Sequence, residues 1–147
     1  KSRSWLGNDR IVVVKGSNLY TVTVTNSPVV TRIGPDGLGL PNETVEQPSV
    51  SPDSRSIAYV QGSAIWRINV DGSGLTQLTT PYFDVAWPSW SPDGSRLVVS
   101  SNECSTFGGG LPSPAEMIVI SATATNQDLA TIDFVTSSCG PVYWLPS

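Results

Sequence analysis

The residue types that carry most enzyme chemistry are scarce in this sequence of 147 residues. It contains no histidine, and its two lysines are Lys1 and Lys15. A Ser-His-Asp or Cys-His nucleophile therefore cannot be assembled, and neither lysine stands in a Ser-x-x-Lys frame. We expect no serine or cysteine hydrolase site within these residues.

Acidic residues remain as candidates, because paired carboxylates cleave glycosides in some proteins. Asp53, Asp71 and Asp93 each stand in short segments of serine, proline and glycine. Such segments are typical of turns, in which aspartate accepts hydrogen bonds from nearby backbone N–H groups. We therefore interpret these three aspartates as turn residues rather than as catalytic acids.

Two further motifs lack the residues that their chemistry needs. Residues 34–39 are rich in glycine but have no Gly-Lys-Ser/Thr ending and no helical pattern after them. They predict a linker rather than a phosphate-binding loop. Cys104 and Cys139, with no histidine in the sequence, do not make a zinc site. The sequence thus predicts no metal, no cofactor and no enzymatic activity of its own.

The composition favours many short strands joined by turns. Hydrophobic residues make up 39% and charged residues 14%, and 13 glycines and 12 prolines lie between short apolar runs. The longest runs, such as residues 11–14 and 117–120, are far shorter than the roughly 20 residues that span a bilayer. The net charge of −4 comes without a basic stripe. Nucleic acids and anionic membrane surfaces are therefore disfavoured as partners.

The elements that would position any site are repeated along the chain. The third unit begins Pro88-Ser89-Trp90-Ser91-Pro92-Asp93-Gly94 and continues with strand patterns at residues 97–100, 117–120 and 129–132. The second unit follows the same order from Pro48 to Thr79, and a less regular first unit begins at Ser4. A fourth unit starts at residues 142–146. The anchors are Trp5, Val50, Trp90 and Trp144, which are 45, 40 and 54 residues apart, and an insertion at residues 102–114 accounts for the longest spacing.

This pattern resembles the WD-like repeat of TolB-type β-propellers, which also occurs in the propellers of some peptidases. The resemblance rests on Pro-x-Trp-Ser-Pro-Asp-Gly at Pro88–Gly94 in the third unit. It also rests on the Asp71-Gly72 turn of the second unit and on the Leu-Thr strand that follows this turn. It implies an all-β fold of propeller blades, each a four-stranded antiparallel sheet, with three blades and the first strand of a fourth. The implied limits are about 1–40, 46–80, 86–134 and 140–147.

Three blades do not close a ring, because propellers typically need four to eight. The apolar faces that normally pack against neighbouring blades would be exposed to water. The rest of a longer chain could complete the ring, or a second copy could do so by twofold symmetry. The sequence leaves both alternatives open.

The same architecture predicts where the two cysteines lie. Cys104 comes after the second strand of the third blade, and Cys139 comes before the first strand of the fourth. These loops lie on one face of a propeller, so we predict a disulfide between them, with two unpaired thiols as the alternative. A disulfide favours an oxidising, extracytoplasmic location: the periplasm, a cell surface or secretion.

The loops that lead into the innermost strands are the predicted partner-binding site, since long loops on one face of a repeat array often bind. Aromatic side chains in such loops can anchor a partner. The predicted contact residues are Glu46, Gln47, Tyr82, Phe83, Asp84, Trp87 and Phe107. Satellite packing of Phe83 and Trp87 under their loop is the alternative.

We therefore expect a non-catalytic, extracytoplasmic module that binds a protein or peptide. The TolB-type resemblance implies protein partners within an envelope complex. Two alternatives remain: the propeller part of a larger enzyme, such as a prolyl-oligopeptidase-like peptidase, and the extracellular sensor domain of a membrane receptor.

Overall fold

The computed structural model describes residues 3–81, 85–101, 116–128 and 134–137, and all regular structure within them is β-strand. The twelve strands of these ranges form three four-stranded antiparallel sheets, in which neighbouring strands follow one another along the chain. The predicted all-β fold of four-stranded antiparallel sheets is confirmed. Among the described residues there is no helix of the length and apolarity that crosses a membrane.

We call the three sheets blades 1, 2 and 3. Blade 1 comprises β1 (Arg3–Leu6), β2 (Arg10–Lys15), β3 (Asn18–Thr23) and β4 (Val30–Ile33). Blade 2 comprises β5 (Val45–Val50), β6 (Ser56–Gln61), β7 (Ala64–Asn69) and β8 (Thr76–Gln77). Blade 3 comprises β9 (Val85–Trp90), β10 (Arg96–Ser101), β11 (Glu116–Ser121) and β12 (Phe134–Ser137). The strand predicted at residues 129–132 and the fourth blade predicted at 140–147 lie outside the described residues.

The Ser-Pro-Asp turns between the first two strands of blades 2 and 3 are built alike. In blade 3 the Oδ1 atom of Asp93 accepts hydrogen bonds from the Ser91 hydroxyl at 2.6 Å and from the Ser95 N–H at 3.0 Å. Asp53 accepts at the same distances from the Ser51 hydroxyl and the Arg55 N–H. These aspartates therefore act as turn acceptors, as the sequence predicts.

The hydrogen bonds of these turns favour the charged form of each aspartate. The Ser91 hydroxyl, followed by the backbone and hydroxyl of Ser95, lowers the pKa of Asp93 to about 2. The Ser51 hydroxyl and then the Arg55 N–H lower the pKa of Asp53 in the same way. Both turns are thus more favourable when the carboxylates are ionised.

The two turns also share one backbone conformation, although their residues differ. Gly94 has φ of 71° and Ser54, at the equivalent place, has φ of 58°. The N–H groups of Ser54 and Gly94 donate to the carbonyls of Ser51 and Ser91, each at 2.9 Å. Blades 2 and 3 therefore have the same turn, and in blade 2 a serine occupies the left-handed region.

Consecutive blades pack face to face, and one row of side chains in each later blade covers the blade before it. In blade 2 the row is Val50, Ile57 and Ile68, which packs with the buried residues Leu6, Val12, Leu19 and Ile33 of blade 1. In blade 3 the row is Trp90, Leu97 and Ile120, which packs with Ala58, Val60 and Ile65 of blade 2. The core therefore lies between the sheets, as expected for wedge-shaped blades.

Trp90 fills the wedge between blades 2 and 3. It is 7% exposed, and its indole N–H donates to the Ser49 carbonyl at 2.9 Å. The guanidinium carbon of Arg67 lies 6.0 Å from the centre of the Trp90 ring. Arg67 also donates to the Ser56 hydroxyl and to the Ala122 carbonyl, which belongs to blade 3. One arginine thus connects two blades.

The linker between blades 1 and 2 is fastened by Gln61, which is fully buried. Its amide nitrogen donates to the carbonyls of Gly37, Leu40 and Glu43, and its amide oxygen accepts from the Leu40 N–H. A Cβ atom at Gly39 would lie 2.4 Å from the Trp66 ring. The glycine-rich stretch is therefore a linker, as predicted, and Gly39 is needed where the linker crosses Trp66.

A second glutamine joins blades 2 and 3 at their outer rim. Gln127 and Thr79 form a parallel β-bridge. The Gln127 N–H donates to the Leu78 carbonyl at 2.8 Å, and the Gln127 amide nitrogen donates to the carbonyls of Leu78, Ser121 and Ala124. Blades 2 and 3 are thus connected at the rim as well as through Trp90.

Replacing Ser54 by glycine should stabilise the protein. A serine in the left-handed region costs backbone strain that exceeds the added flexibility of glycine, so Ser54→Gly should raise the free energy of unfolding by about 0.5–1 kcal/mol. Gly94→Ser is the matched change and should lower the free energy of unfolding by about 1 kcal/mol. The new Cβ would lie 4.0 Å from Pro52, which is an ordinary contact distance, so backbone strain is the main cost. Urea unfolding at neutral pH measures both, and a less stable Ser54→Gly variant would contradict the strain.

Acid should weaken the protein through Asp93. The pKa of Asp93 in the folded state, about 2, lies below its unfolded value of about 3.9, so its contribution is present above the unfolded value and is lost as the pH falls towards 2. Asp93→Asn should be less stable than the parent protein at pH 7, and the difference should shrink between pH 4 and pH 2. Urea midpoints at a series of pH values test this, and a difference independent of pH would contradict it.

Candidate binding face

One end of the three blades carries the starts of β5 and β9 together with the β2–β3 and β6–β7 turns. We call this end the upper face. Its described residues are Lys15, Gly16, Glu43, Thr44, Val45, Glu46, Gln47, Gly62, Ser63, Val85, Ala86 and Trp87. In a closed propeller these first strands would surround the central channel, so the upper face is where the sequence predicts partner binding.

Glu46, Gln47 and Trp87 lie inside the first strands and not in the loops before them, which corrects the sequence prediction. Glu46 pairs with Val60 in β6, and Ala86 pairs with Ser100 in β10. Pro48 and Pro88 suggest strand beginnings because proline cannot donate a ladder hydrogen bond. Each strand continues past its proline through a β-bulge, where the register shifts.

The two bulges have the same unusual backbone. Gln47 has φ of 50° and Trp87 has φ of 47°, and each precedes a buried proline. The left-handed region costs a residue with a side chain about 1–2 kcal/mol. Backbone strain of this kind persists where the surrounding structure fixes it, and it concentrates at functional sites. The two strained residues are 40 positions apart in the chain and belong to neighbouring blades.

A short hydrogen bond joins the two bulges. The Oε1 atom of Gln47 accepts from the Trp87 N–H at 2.6 Å. The bulge removes the Trp87 N–H from the regular ladder, and the side chain of the neighbouring blade replaces its partner. The relative position of the two innermost strands is therefore fixed at the upper face.

Two cavities open beside these strands. The first, of about 800 Å³, lies between the β2–β3 end of blade 1 and the start of β5, with a largely apolar wall that includes Val13, Val14 and Val45. The second, of about 250 Å³, lies between blades 2 and 3 and is mainly polar. Glu46 and Gln47 line both cavities. They form the wall between an apolar and a polar compartment.

The charged groups at the upper face lie at the rims of these cavities. Glu46 is exposed and accepts a long hydrogen bond, 3.4 Å, from the Thr44 hydroxyl. Lys15 lines the larger cavity and Glu43 the smaller one. Within the described ranges no group of three or more His, Cys, Asp or Glu residues is placed to hold a metal ion. The arrangement suits reversible contacts with a polypeptide that has both apolar and polar side chains.

The opposite end has a third cavity, of about 340 Å³, between the two Ser-Pro-Asp turns. Asp53, Asp93, Arg67 and Trp90 line it. Their polar atoms are used for the turns and for the contact between blades, as described above. This cavity is therefore explained by blade packing.

Four of the predicted contact residues, Tyr82, Phe83, Asp84 and Phe107, lie outside the described residues. So do Cys104 and Cys139, and these contacts and the disulfide stay predictions. Four further residues of the upper face were not predicted from the sequence: Lys15, Gly16, Gly62 and Ser63. Their signal was available, because Lys15-Gly16-Ser17 and Gln61-Gly62-Ser63 are turn sequences between two strand patterns.

Loss of the Gln47 acceptor should loosen the upper face. In Gln47→Leu the Trp87 N–H loses its partner, and we expect the free energy of unfolding to fall by about 1 kcal/mol. Hydrogen exchange at the Trp87 amide should accelerate about tenfold or more. Gln77→Leu is the matched control, because the Gln77 side-chain amide donates to the nearby Thr79 carbonyl in its own blade. An unchanged exchange rate at Trp87 in Gln47→Leu would disprove the role of this link.

Comparison with known proteins shows the fold. The chain is similar to a solved structure described as a putative TolB from Agrobacterium tumefaciens, with a TM-score of 0.62 and 20% identity over 91% of this chain and 49% of that chain. It is also similar to TolB from Acinetobacter baumannii, with a TM-score of 0.58 and 18% identity over 90% of this chain and 31% of that chain. A third similar structure is the tricorn protease, with a TM-score of 0.57 and 17% identity over 82% of this chain and 13% of that chain.

No family model matches the sequence, and no curated protein matches it. The chain spans about half the length of the first of these solved structures and less of the others. At these identities the likeness concerns the fold alone. The three sheets thus have the fold of β-propeller blades.

Proposed function

We propose that this chain is a non-catalytic part of a β-propeller that binds a protein or peptide at its upper face. The observation that carries the proposal is the wall formed by Glu46 and Gln47 between the two cavities. This wall is built on strained bulges, and the Gln47–Trp87 hydrogen bond fixes it in place. A site whose shape is fixed before the ligand arrives loses less conformational entropy on binding.

The chemistry of the two compartments supports a polypeptide as the ligand. The larger cavity is wide enough for an aliphatic or aromatic side chain, and its valine walls would bury that side chain. The smaller, polar cavity offers carboxylates and hydroxyls to a neighbouring polar group. An extended peptide points successive side chains to opposite sides, so two neighbouring side chains, one apolar and one polar, would enter the two cavities.

The residue chemistry supports binding rather than catalysis. The sequence has no histidine, and Asp53, Asp71 and Asp93 are engaged in turns. Glu46 and Glu43 are exposed to solvent at the rims of the cavities.

A second candidate is the propeller part of a larger enzyme. The similarity to the tricorn protease favours it, because a propeller of related fold occurs there in a chain described as a protease. In that case the upper face would select or guide a polypeptide substrate, and the catalytic residues would lie in another part of the protein. Both candidates give the upper face the same ligand class.

An extracytoplasmic location is part of the proposal. It is supported by the disulfide that the sequence predicts between Cys104 and Cys139. The ring would be completed by the rest of a longer chain or by a second copy. A thiol count on the unfolded, unreduced protein tests the disulfide, because two reactive thiols would exclude it.

Peptide binding can be tested with a displayed library of random peptides selected on the purified chain. Selected peptides should bind the parent protein, and Glu46→Arg should weaken them at least about tenfold because it reverses the charge of the wall between the cavities. Arg55→Glu is the matched control, since Arg55 is exposed on a β5–β6 turn at the opposite end.

Calorimetric titration of synthetic peptides gives the affinities. Equal binding to the parent protein and Glu46→Arg, with loss in Arg55→Glu, would place the site at the other end. Cleavage of the peptides by the isolated chain would refute a non-catalytic module.

A further inference from the structure

Two carboxylates lie at the smaller, polar cavity of the upper face. Among the described residues that line this cavity, the charged ones are Glu43 and Glu46, and Thr44 and Ser63 add hydroxyl groups. Neither glutamate forms an ion pair with a cation in the described part of the chain. Both negative charges are therefore available to a ligand that enters the cavity.

Both glutamates stand on backbone that is fixed in place. The Glu43 carbonyl accepts a hydrogen bond from the buried Gln61 amide at 3.1 Å. A Cβ atom at Gly62 would lie 3.6 Å from the Cγ atom of Glu43, so the Glu43 side chain begins beside the β6–β7 turn. Glu46 is paired with Val60 across β5 and β6. The ligand therefore does not have to organise the backbone that carries the carboxylates.

The larger cavity of the upper face has a different character. Its wall is largely apolar, with Val13, Val14 and Val45, and Lys15 is exposed at its rim. A cation would lose hydration against the valines and would be repelled by the Lys15 ammonium, which offsets the charge of Glu46 on this side of the wall. A positive group is therefore disfavoured in the larger cavity and favoured in the smaller one.

We propose that the upper face selects a polypeptide in which an apolar residue stands next to a lysine or an arginine. The apolar side chain enters the larger cavity. The basic side chain enters the smaller one, where its N–H groups donate to the carboxylates of Glu43 and Glu46. Neighbouring side chains of an extended peptide point to opposite sides, which matches two cavities on either side of one wall. This selection rests on the peptide-binding function proposed above and adds the chemical class of its ligand.

Synthetic peptides that differ in one residue test the selection. The probes are Gly-Ser peptides, blocked at both ends, with a central Leu-Arg, Leu-Lys, Leu-Gln or Leu-Glu pair. Leu-Arg and Leu-Lys should bind the parent protein at least about tenfold more tightly than Leu-Gln, because their basic groups meet opposite charges. Leu-Glu should bind most weakly. Calorimetric titration gives the dissociation constants, and added salt should narrow the differences.

Removing each carboxylate without changing its shape tests the residues. Glu43→Gln and Glu46→Gln should each weaken Leu-Arg about threefold to fivefold and leave Leu-Gln unchanged, because each variant removes one ion pair with the peptide. Asp9→Asn is the matched control, since it changes the net charge equally and Asp9 is exposed on the β1–β2 turn at the opposite end. It should leave the affinity for both peptides unchanged.

A further variant tests which cavity takes which side chain. The parent protein should bind an Arg-Arg peptide more weakly than Leu-Arg, because the first arginine then lies beside Lys15. Lys15→Gln removes the repulsion and should reduce the preference for Leu-Arg about threefold. A preference that is the same in Lys15→Gln would contradict this assignment of the cavities.

Equal binding of Leu-Arg and Leu-Gln to the parent protein overturns the selection, and so does an Asp9→Asn variant that loses as much affinity for Leu-Arg as Glu43→Gln and Glu46→Gln do. Absence of binding by all the probes overturns it as well. The proposed function fails differently, because a random library that yields no peptide dependent on Glu46 would reject it. Selected peptides that depend on Glu46 but carry no basic residue beside an apolar one reject the selection alone.

Discussion

The packing of each anchor row on the blade before it is the constraint on which the rest of the structure depends. A single four-stranded sheet cannot bury both of its faces by itself. Val50 and Trp90 therefore cover apolar residues of blades 1 and 2, respectively, as well as packing within their own blades. Arg67 reinforces the second contact because its guanidinium lies over the Trp90 ring and also reaches the Ala122 carbonyl. The positions of the innermost strands, and hence the shape of the upper face, follow from this packing.

The upper face departs from the regular repeat. Gln47-Pro48 and Trp87-Pro88 interrupt the ladders at equivalent places, and the bulges turn Gln47 towards the neighbouring blade. The Ser-Pro-Asp turns at the other end keep the repeat geometry and direct their polar atoms into the turn itself. One end of the blades is thus devoted to their construction, while the other presents cavities with a defined wall.

The sequence predicted the parts of this structure that local chemistry determines. Each of these parts depends on residues that are close together in the sequence. They are the Ser-Pro-Asp turns, the linker at residues 34–39 and the place of Trp90. The start of β5 and β9 was not predictable, because a proline within a strand resembles a strand boundary unless the bulge that accommodates it is known. The role of Gln61 was hidden as well, since its partners at Gly37, Leu40 and Glu43 are 18 to 24 residues away.

Gln61, which fastens the linker between blades 1 and 2, and Gln127, which joins blades 2 and 3 at the rim, are uncharged, and so are the carbonyls that they bind. Neither group gains or loses a proton in the range in which proteins fold, and added salt does not screen such contacts as it screens ion pairs. The joints between blades should therefore keep their geometry across acidic, saline or dilute surroundings.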